Sequence, residues 1–418
     1  MLLQTVLNHC QKFKSFVYRS VRMETIKGLE ALVVKVVPRK NSLPRCSACG
    51  CTAPTYDHQL KARLFQFVPL WGIGVYFRYR MRRVNCPQDG VRIESVPWAK
   101  GKSPITRALE LFLARWARRL SWLEVARCFE VSWDSVYRSV RSVVEYGLKH
   151  RCLEGIEAIG IDEIQYAKGH QYLTVVYQID ENRKRLLSVT KDRTVRSLLG
   201  FFRLLGSRRT QQLRFICSDM WKPYLKVIAK KAPQALHILD RFHIVSNLNK
   251  ALNQIRAGEA RRLVREGYQD VLKHTKYCFL KRKENLTPNQ KTTLKEVLQY
   301  DLKSVRAFLL KESFQLFWNY TSPHWAEWYL KKWCARAMRS RLEPIQKFVK
   351  SIRRHLPLIL NWFKAKKAFS SGVVEGLNRK INLTTRKAYG YRSFEVLKIS
   401  LFHTLGNLPE PETAHRFC

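Results

Sequence analysis

Two acidic residues stand where apolar stretches end. Asp162 follows Ile159-Gly-Ile161, and Asp219 follows Leu213 to Cys217 and Ser218. Acids are scarce in this chain, 32 Asp+Glu against 77 Lys+Arg, so carboxylates at such positions need a reason. Two of them meeting in one site repel, and one tends to keep its proton. A pair of hard divalent cations with oxygen ligands, Mg²⁺ or Mn²⁺, removes that penalty. The plain alternative is that each acid caps the turn after it or pairs with a nearby base. Such a site needs a third carboxylate, and Glu375 is the candidate. After the turn Ser370-Ser-Gly372, a helix keeps Val374, Leu377 and Ile381 inward. Glu375, Asn378, Arg379, Asn382 and Arg386 then share its other face, one acid among amides and cations suited to metal and phosphate. A surface pair with Arg379 at i+4 is the ordinary alternative, and Glu395 is the competing acid.

A second cluster has the spacing of metal ligands. Cys46-Ser-Ala-Cys49 is a C-x-x-C pair, and Cys86-Pro-Gln-Asp89 follows after thirty-six residues. Leu64 to Val68 and Val75 to Tyr79, parted by Pro69 and Gly72–Gly74, read as a hairpin joining two knuckles. Such a zinc ribbon brings four ligands to one tetrahedral Zn²⁺. Three are thiolates; Asp89, His58 or Cys51 must be the fourth. Without metal, packing of Phe65, Phe67, Trp71 and Tyr76 would have to hold the segment.

The elements that must position these groups follow from periodicity. Residues 104–147 read as three helices. Ile105, Ala108, Leu109, Phe112, Leu113 and Leu120 form one stripe, Ser121 to Glu124 a capping box, and a third helix from Ser132 turns Val136, Val140, Val143 and Val144 inward. That is a helix-turn-helix whose last helix presents Trp133, Asp134, Ser135, Tyr137 and Arg138 to a major groove. An ordinary three-helix unit is the alternative. Next come strands over Glu157–Ile164, Gln171–Ile179 and Arg185–Thr190, with turns at Lys168-Gly169 and Asp180-Glu-Asn182. A helix over Val195–Leu205, a strand Leu213–Cys217, a helix through Tyr224 and Ile228 and a strand Ala235–Leu239 complete the run. The order βββαβαβ is that of the ribonuclease H fold, in which carboxylates at strand ends converge.

Asp240-Arg-Phe-His243 after the last strand, Gly372-Val-Val-Glu-Gly-Leu-Asn378, and Arg386-Lys-Ala-Tyr-Gly-Tyr-Arg392 carry a resemblance. The chain resembles the DDE transposases of bacterial insertion sequences, and within them the ISL-three (ISL3) family, over nearly its whole length. The resemblance implies catalytic, metal-holding Asp162, Asp219 and Glu375, with Asp240 and His243 as accessory active-site residues. It also implies a helical insertion before the glutamate. Asp89 departs from the family pattern, which has cysteine there.

The expected fold class is therefore α/β and multidomain. A zinc-ribbon-like module occupies 28–100, a helix-turn-helix 101–152, and the ribonuclease H-like domain 157–257 and 366–408, with an all-helical insertion at 258–365. The net charge of +45 is spread along the chain, as suits a molecule lying on a polyanion. Charge alone does not separate DNA from RNA. Between 258 and 369, basic residues outnumber acidic by 25 to 9. Aromatics there, Phe314 to Trp333, mostly suit helix packing. With Lys331, Lys332, Arg336 and Arg339 among them, the insertion is expected to wall a DNA channel. Eleven cysteines, mostly isolated, suit a reducing cytosol. Neither a secretory signal nor a membrane span is expected.

The function expected is a transposase that binds the terminal inverted repeats of its element, cleaves double-stranded DNA and joins the 3′-end to a target. Arg379 and Arg386 join Trp133, Ser135, Tyr137 and Arg138 as expected DNA contacts. A homodimer or larger synaptic complex is expected from the need to pair two ends, and the expected location is cytoplasmic, on the prokaryotic nucleoid. The alternatives are a DNA-binding regulator that has lost catalysis and a structure-directed nuclease.

Overall fold

The computed structural model of the chain describes residues 3–412 apart from 168, 170, 367–370, 389 and 392. Lys168, Ser370, Tyr389 and Arg392, which the sequence motifs include, lie outside the described residues. The fold is mixed α/β and divides into two units: residues up to Cys152 with those from Thr384 onward, and Leu153–Leu383. The boundary falls inside the helix Ser371–Lys387, so the segment 366–408 is shared between them.

In the first unit, Lys27 and Gly28 both adopt left-handed backbone and close a two-residue hairpin between Phe16–Ile26 and Leu29–Pro38. A second hairpin, Arg63–Leu70 with Ile73–Tyr79, turns through Trp71 and Gly72 in the same conformation. Ile73–Tyr79 pairs in parallel with Leu29–Pro38, giving one four-stranded sheet. The cysteine spacing predicts this second hairpin as the direct link between the two knuckles. The knuckles instead sit by a separate three-stranded sheet of Thr55–His58, Arg82–Cys86 and Gly90–Ile93. The reason is burial: Phe65, Phe67, Val75 and Phe77 need a packing layer larger than a ribbon offers. Residues 13–38 and Trp98 supply it, with the Trp98 indole against the rings of Phe13, Phe16, Phe65 and Tyr79. Of the aromatics proposed to hold a metal-free knuckle, Trp71 is fully exposed at the turn. A buried Arg82–Glu94 pair, with the Tyr79 hydroxyl donating to Glu94, ties the two sheets together.

Helices Arg107–Ala117, Trp122–Cys128 and Trp133–His150 follow, and their starts are set by side chains. Thr106, Ser121 and Ser132 each accept a backbone N–H three residues on, and Ser121 with Glu124 forms the expected capping box. Val136, Val140, Val143 and Val144 are buried, as periodicity requires.

The second unit holds a five-stranded sheet. Its strands are Ala158–Ala167, Gln171–Asp180, Arg183–Lys191, Phe215–Ser218 and Leu236–Leu239, arranged in the order third, second, first, fourth, fifth. The first three are antiparallel, while the first, fourth and fifth run parallel. Helices Val195–Leu205 and Lys222–Lys231 bury Leu198, Phe201, Phe202, Tyr224 and Ile228 in one core with Ile159, Ile161 and Ile216. From Arg241 to Lys364 the described chain has no strand. Its core is aromatic, with Phe314 against Phe317, Trp333 and Phe348, and Trp318 against Trp362 and Phe363. Trp325 and Trp328 stay exposed. Among the described residues no helix is long and apolar enough to cross a membrane.

Candidate active site

Strand register brings the acids together. Cys217 of the fourth strand lies opposite Gly160 of the first, so two residues further each chain reaches Asp219 and Asp162. Leu239 lies opposite Ser218, and Asp240 then donates its N–H to the Ser218 carbonyl. Asp219 and Asp240 therefore follow the ends of the fourth and fifth strands, beside Asp162, which lies within the first strand just past its pairing with the fourth and stays paired with Val175 of the second. Asp240 caps the helix Arg241–Arg265 through the Phe242 N–H, and the first turn of that helix carries His243. The imidazole Nε2 is 3.6 Å from both Asp162 Oδ1 and Asp240 Oδ2. The Asp162 carboxylate, joined by the charge of Asp240, holds His243 protonated, its pKa raised to about 9.

The other carboxylate oxygen of Asp162 accepts from the Asn378 amide at 2.5 Å, and Asn378 accepts from the buried Tyr177 hydroxyl at 2.7 Å. Asn378 lies one turn beyond Glu375 on the helix Ser371–Lys387, which buries Val374, Leu377 and Ile381 as its spacing requires. Gly160 permits this docking: a Cβ there would lie 2.5 Å from Val374 Cγ2. Glu375 itself pairs with Arg379 at 2.6 Å and is part-exposed.

Asp219 has different partners. Its Oδ1 accepts the Trp221 N–H, and its Oδ2 lies 3.2 Å from Arg193, whose Nε lies 2.5 Å from Glu163. Arg193 stacks on the Trp221 ring. Burial, helped by the charge of Asp219, pushes Glu163 up to about 7. The fold thus brings Asp162, Asp219, Asp240 and His243 to one sheet edge, while Glu375 keeps its surface partner. Periodicity did not single out Glu163, Arg193 or Tyr177. The one available signal was Asn378 at i+3 from Glu375. Carboxylate oxygens are the donors that a hard divalent cation prefers.

A second centre lies in the first unit. The ligand atoms of Cys46, Cys49, Cys86 and Asp89 all lie within 4.8 Å of one another, which among the described residues no other group of three or more His, Cys, Asp or Glu does. Cys46 Sγ to Asp89 Oδ2 is 3.3 Å, Cys49 Sγ to Cys86 Sγ 3.4 Å, and Cys86 Sγ to Asp89 Oδ2 3.6 Å. A tetrahedron with zinc–sulfur bonds of about 2.3 Å has edges of roughly 3.8 Å, so the four atoms fit a zinc ion. The backbone N–H groups of Asp89 and Gln88 hold the Cys86 thiol below its ordinary range. Asp89 is the fourth member; Cys51 and His58 stand outside the group.

The expected groove-reading residues are partly engaged. Trp133 stacks on Tyr137 and leans on Trp122, so Tyr137 is half-buried. Ser135 is linked to Ser132, and exposed Arg138 pairs with Asp134. Arg386 is exposed.

Residues 159–401 match the model of the DDE transposases of ISL3 type, described as a transposase, and the chain belongs to that family. It is 28% identical over 389 residues to the transposase for insertion sequence element IS1557 of Mycobacterium tuberculosis, covering 88% of this chain and 86% of that protein. The transposase for insertion sequence element IS1001 of Bordetella parapertussis is 26% identical over 353 residues, 84% of this chain and 86% of that one.

Proposed function

We propose that this transposase binds the ends of its own element, cleaves DNA there and transfers the 3′-end to a target, on a ribonuclease H-like sheet with Asp162, Asp219 and Glu375 as its acids. The observation that supports the reading is the parallel register whose last pair, Cys217 with Gly160, stands two residues before both Asp219 and Asp162. The three acids would hold Mg²⁺ or Mn²⁺, which when bound neutralises charge on the reacting phosphate and acidifies water. The Tyr177–Asn378 relay fixes the orientation of the Asp162 carboxylate. His243 keeps a proton on Nε2 against Asp162 and Asp240, offering a cation beside a phosphate. Arg193 steers Asp219. For Glu375 to join them, its pair with Arg379 has to open, and DNA phosphate is a natural competitor for that guanidinium.

The helices of 107–150 would act as a helix-turn-helix that reads the terminal repeats, steadied by zinc on the Cys46–Asp89 group. Two ends in one reaction call for a dimer or larger complex. Asp162→Asn is expected to lower cleavage of end-containing DNA by on the order of 10³-fold or more, the scale at which a charge-stabilising group matters, with end binding unchanged. Retained strand transfer in this variant would refute the assignment. The Glu375–Arg379 pair favours a second reading, a DNA-binding regulator without catalysis. Wild-type protein inert with both metals on end-containing DNA would select it.

A further inference from the structure

Two neighbouring helices of the catalytic unit carry cations and no acid. Val195–Leu205 contributes Arg196 and Arg203, and Lys222–Lys231 contributes Lys222, Lys226, Lys230 and Lys231. All six are exposed. Among the described residues none of them has a carboxylate within ion-pair reach, whereas Lys331 and Lys347 elsewhere each hold a glutamate one turn away. Like charges at i and i+4 destabilise a helix, so an uncompensated series on one short helix has a cost that folding alone does not explain.

The two helices enclose a shallow groove of about 690 Å³, its floor made by Val195 and Leu199 and its wall by the four lysines. Lys222, Lys226 and Lys230 recur every four residues, about 6 Å apart along the helix axis. Successive phosphates of one DNA strand rise about 3.4 Å along the duplex axis and, winding around it, stand roughly 6–7 Å apart, so the lysine spacing matches one phosphate step. The groove also begins at the carboxylate edge. Asp219 stands three residues before Lys222, and Arg193, its ion-pair partner, stands two before Val195.

We infer that this groove is a phosphate track, holding the backbone of duplex DNA as it leaves the carboxylate edge, with the apolar floor beneath the deoxyribose. The inference rests on the proposed function and names a substrate-binding surface for it. A polyanion of regular spacing with apolar sugars fits this surface better than an acidic peptide, whose charges have no fixed repeat.

The test uses the full-length protein and a random-sequence duplex, and measures the slope of log affinity against log salt. Lys222, Lys226, Lys230 and Lys231 changed together to Gln should reduce the slope by about 3.6, near 0.9 for each of four lost phosphate contacts. A charge-matched control, Lys12, Lys14, Lys27 and Lys184 to Gln, all exposed and outside every segment assigned to DNA, should change it by less than about 1. Equal losses in the two variants would overturn the track, because net charge alone would then explain binding. So would an unchanged slope in the first variant with weakened binding to polyglutamate, which would assign the groove to an acidic polypeptide. Circular dichroism confirms that both variants fold. Binding here needs no chemistry, so a normal slope loss beside wild-type protein that never cleaves would sink the proposed function and leave the track standing.

Discussion

Asp162 is held from two sides, by His243 and by Asn378, and each contact has a measurable consequence. Asn378 accepts from Tyr177 and donates to Asp162. Asn378→Ala strands the buried Tyr177 hydroxyl and frees the carboxylate. It should cost about 1–3 kcal/mol in urea unfolding and reduce cleavage, with end binding intact. His237 is buried, bonded to Ser218, and burial pulls its pKa down to about 4. An unfolded imidazole titrates near 6.5, so the unfolded chain takes up a proton that the folded one refuses. The His237 contribution is complete above about pH 6.5 and is lost as pH falls toward 4, by about 1.4 kcal/mol per unit. Comparing His237→Gln with wild type at each pH cancels other groups such as Glu163. The difference in unfolding free energy should shift in favour of the variant between pH 6.5 and 4.

At the scale of elements, the contact of Asn378 with Asp162 depends on how closely the helix Ser371–Lys387 approaches the first strand. Gly160 is the reason it can, since a methyl group there meets Val374. Gly160→Ala should destabilise the unit by about 1–3 kcal/mol through overpacking, and should reduce cleavage by displacing Asn378. Adding Val374→Ala should recover part of both losses. A double variant as weak as the sum of the two single ones would mean that the close approach does not couple them.

Across the whole molecule, two units carry separate cores, and only the first contains the Cys46–Asp89 group. Zinc analysis of purified protein should find about one ion per chain. Chelation should destabilise the first unit by about 4 kcal/mol at a thousandfold saturation, leaving the unfolding of the second unit in place. Asp89→Cys should keep the ion against stronger chelators. If both units lose stability equally, the metal is not local to the first.

Much of this was legible in the chain because it is governed by short-range rules. The capping box at Ser121, the inward valines of Trp133–His150 and seven of the eight elements from Ala158 to Leu239, all but the short helix Ser207–Gln211, follow from spacing and turn chemistry. Asp162 and Asp219 were conspicuous as acids beside apolar runs in a basic chain, but the first strand runs on past Asp162 to Ala167, which the apolar run alone did not show. The partners were not legible. That Asn378 reaches Asp162, that Arg193 bridges Glu163 and Asp219, and that residues 13–38 cover the hairpin at 63–79 all depend on strand order and on contacts between distant segments. The lysine series at 222–230 could be read as a helix face. Its position beside the carboxylate edge required the sheet, because periodicity fixes which way a side chain points but never what stands opposite it.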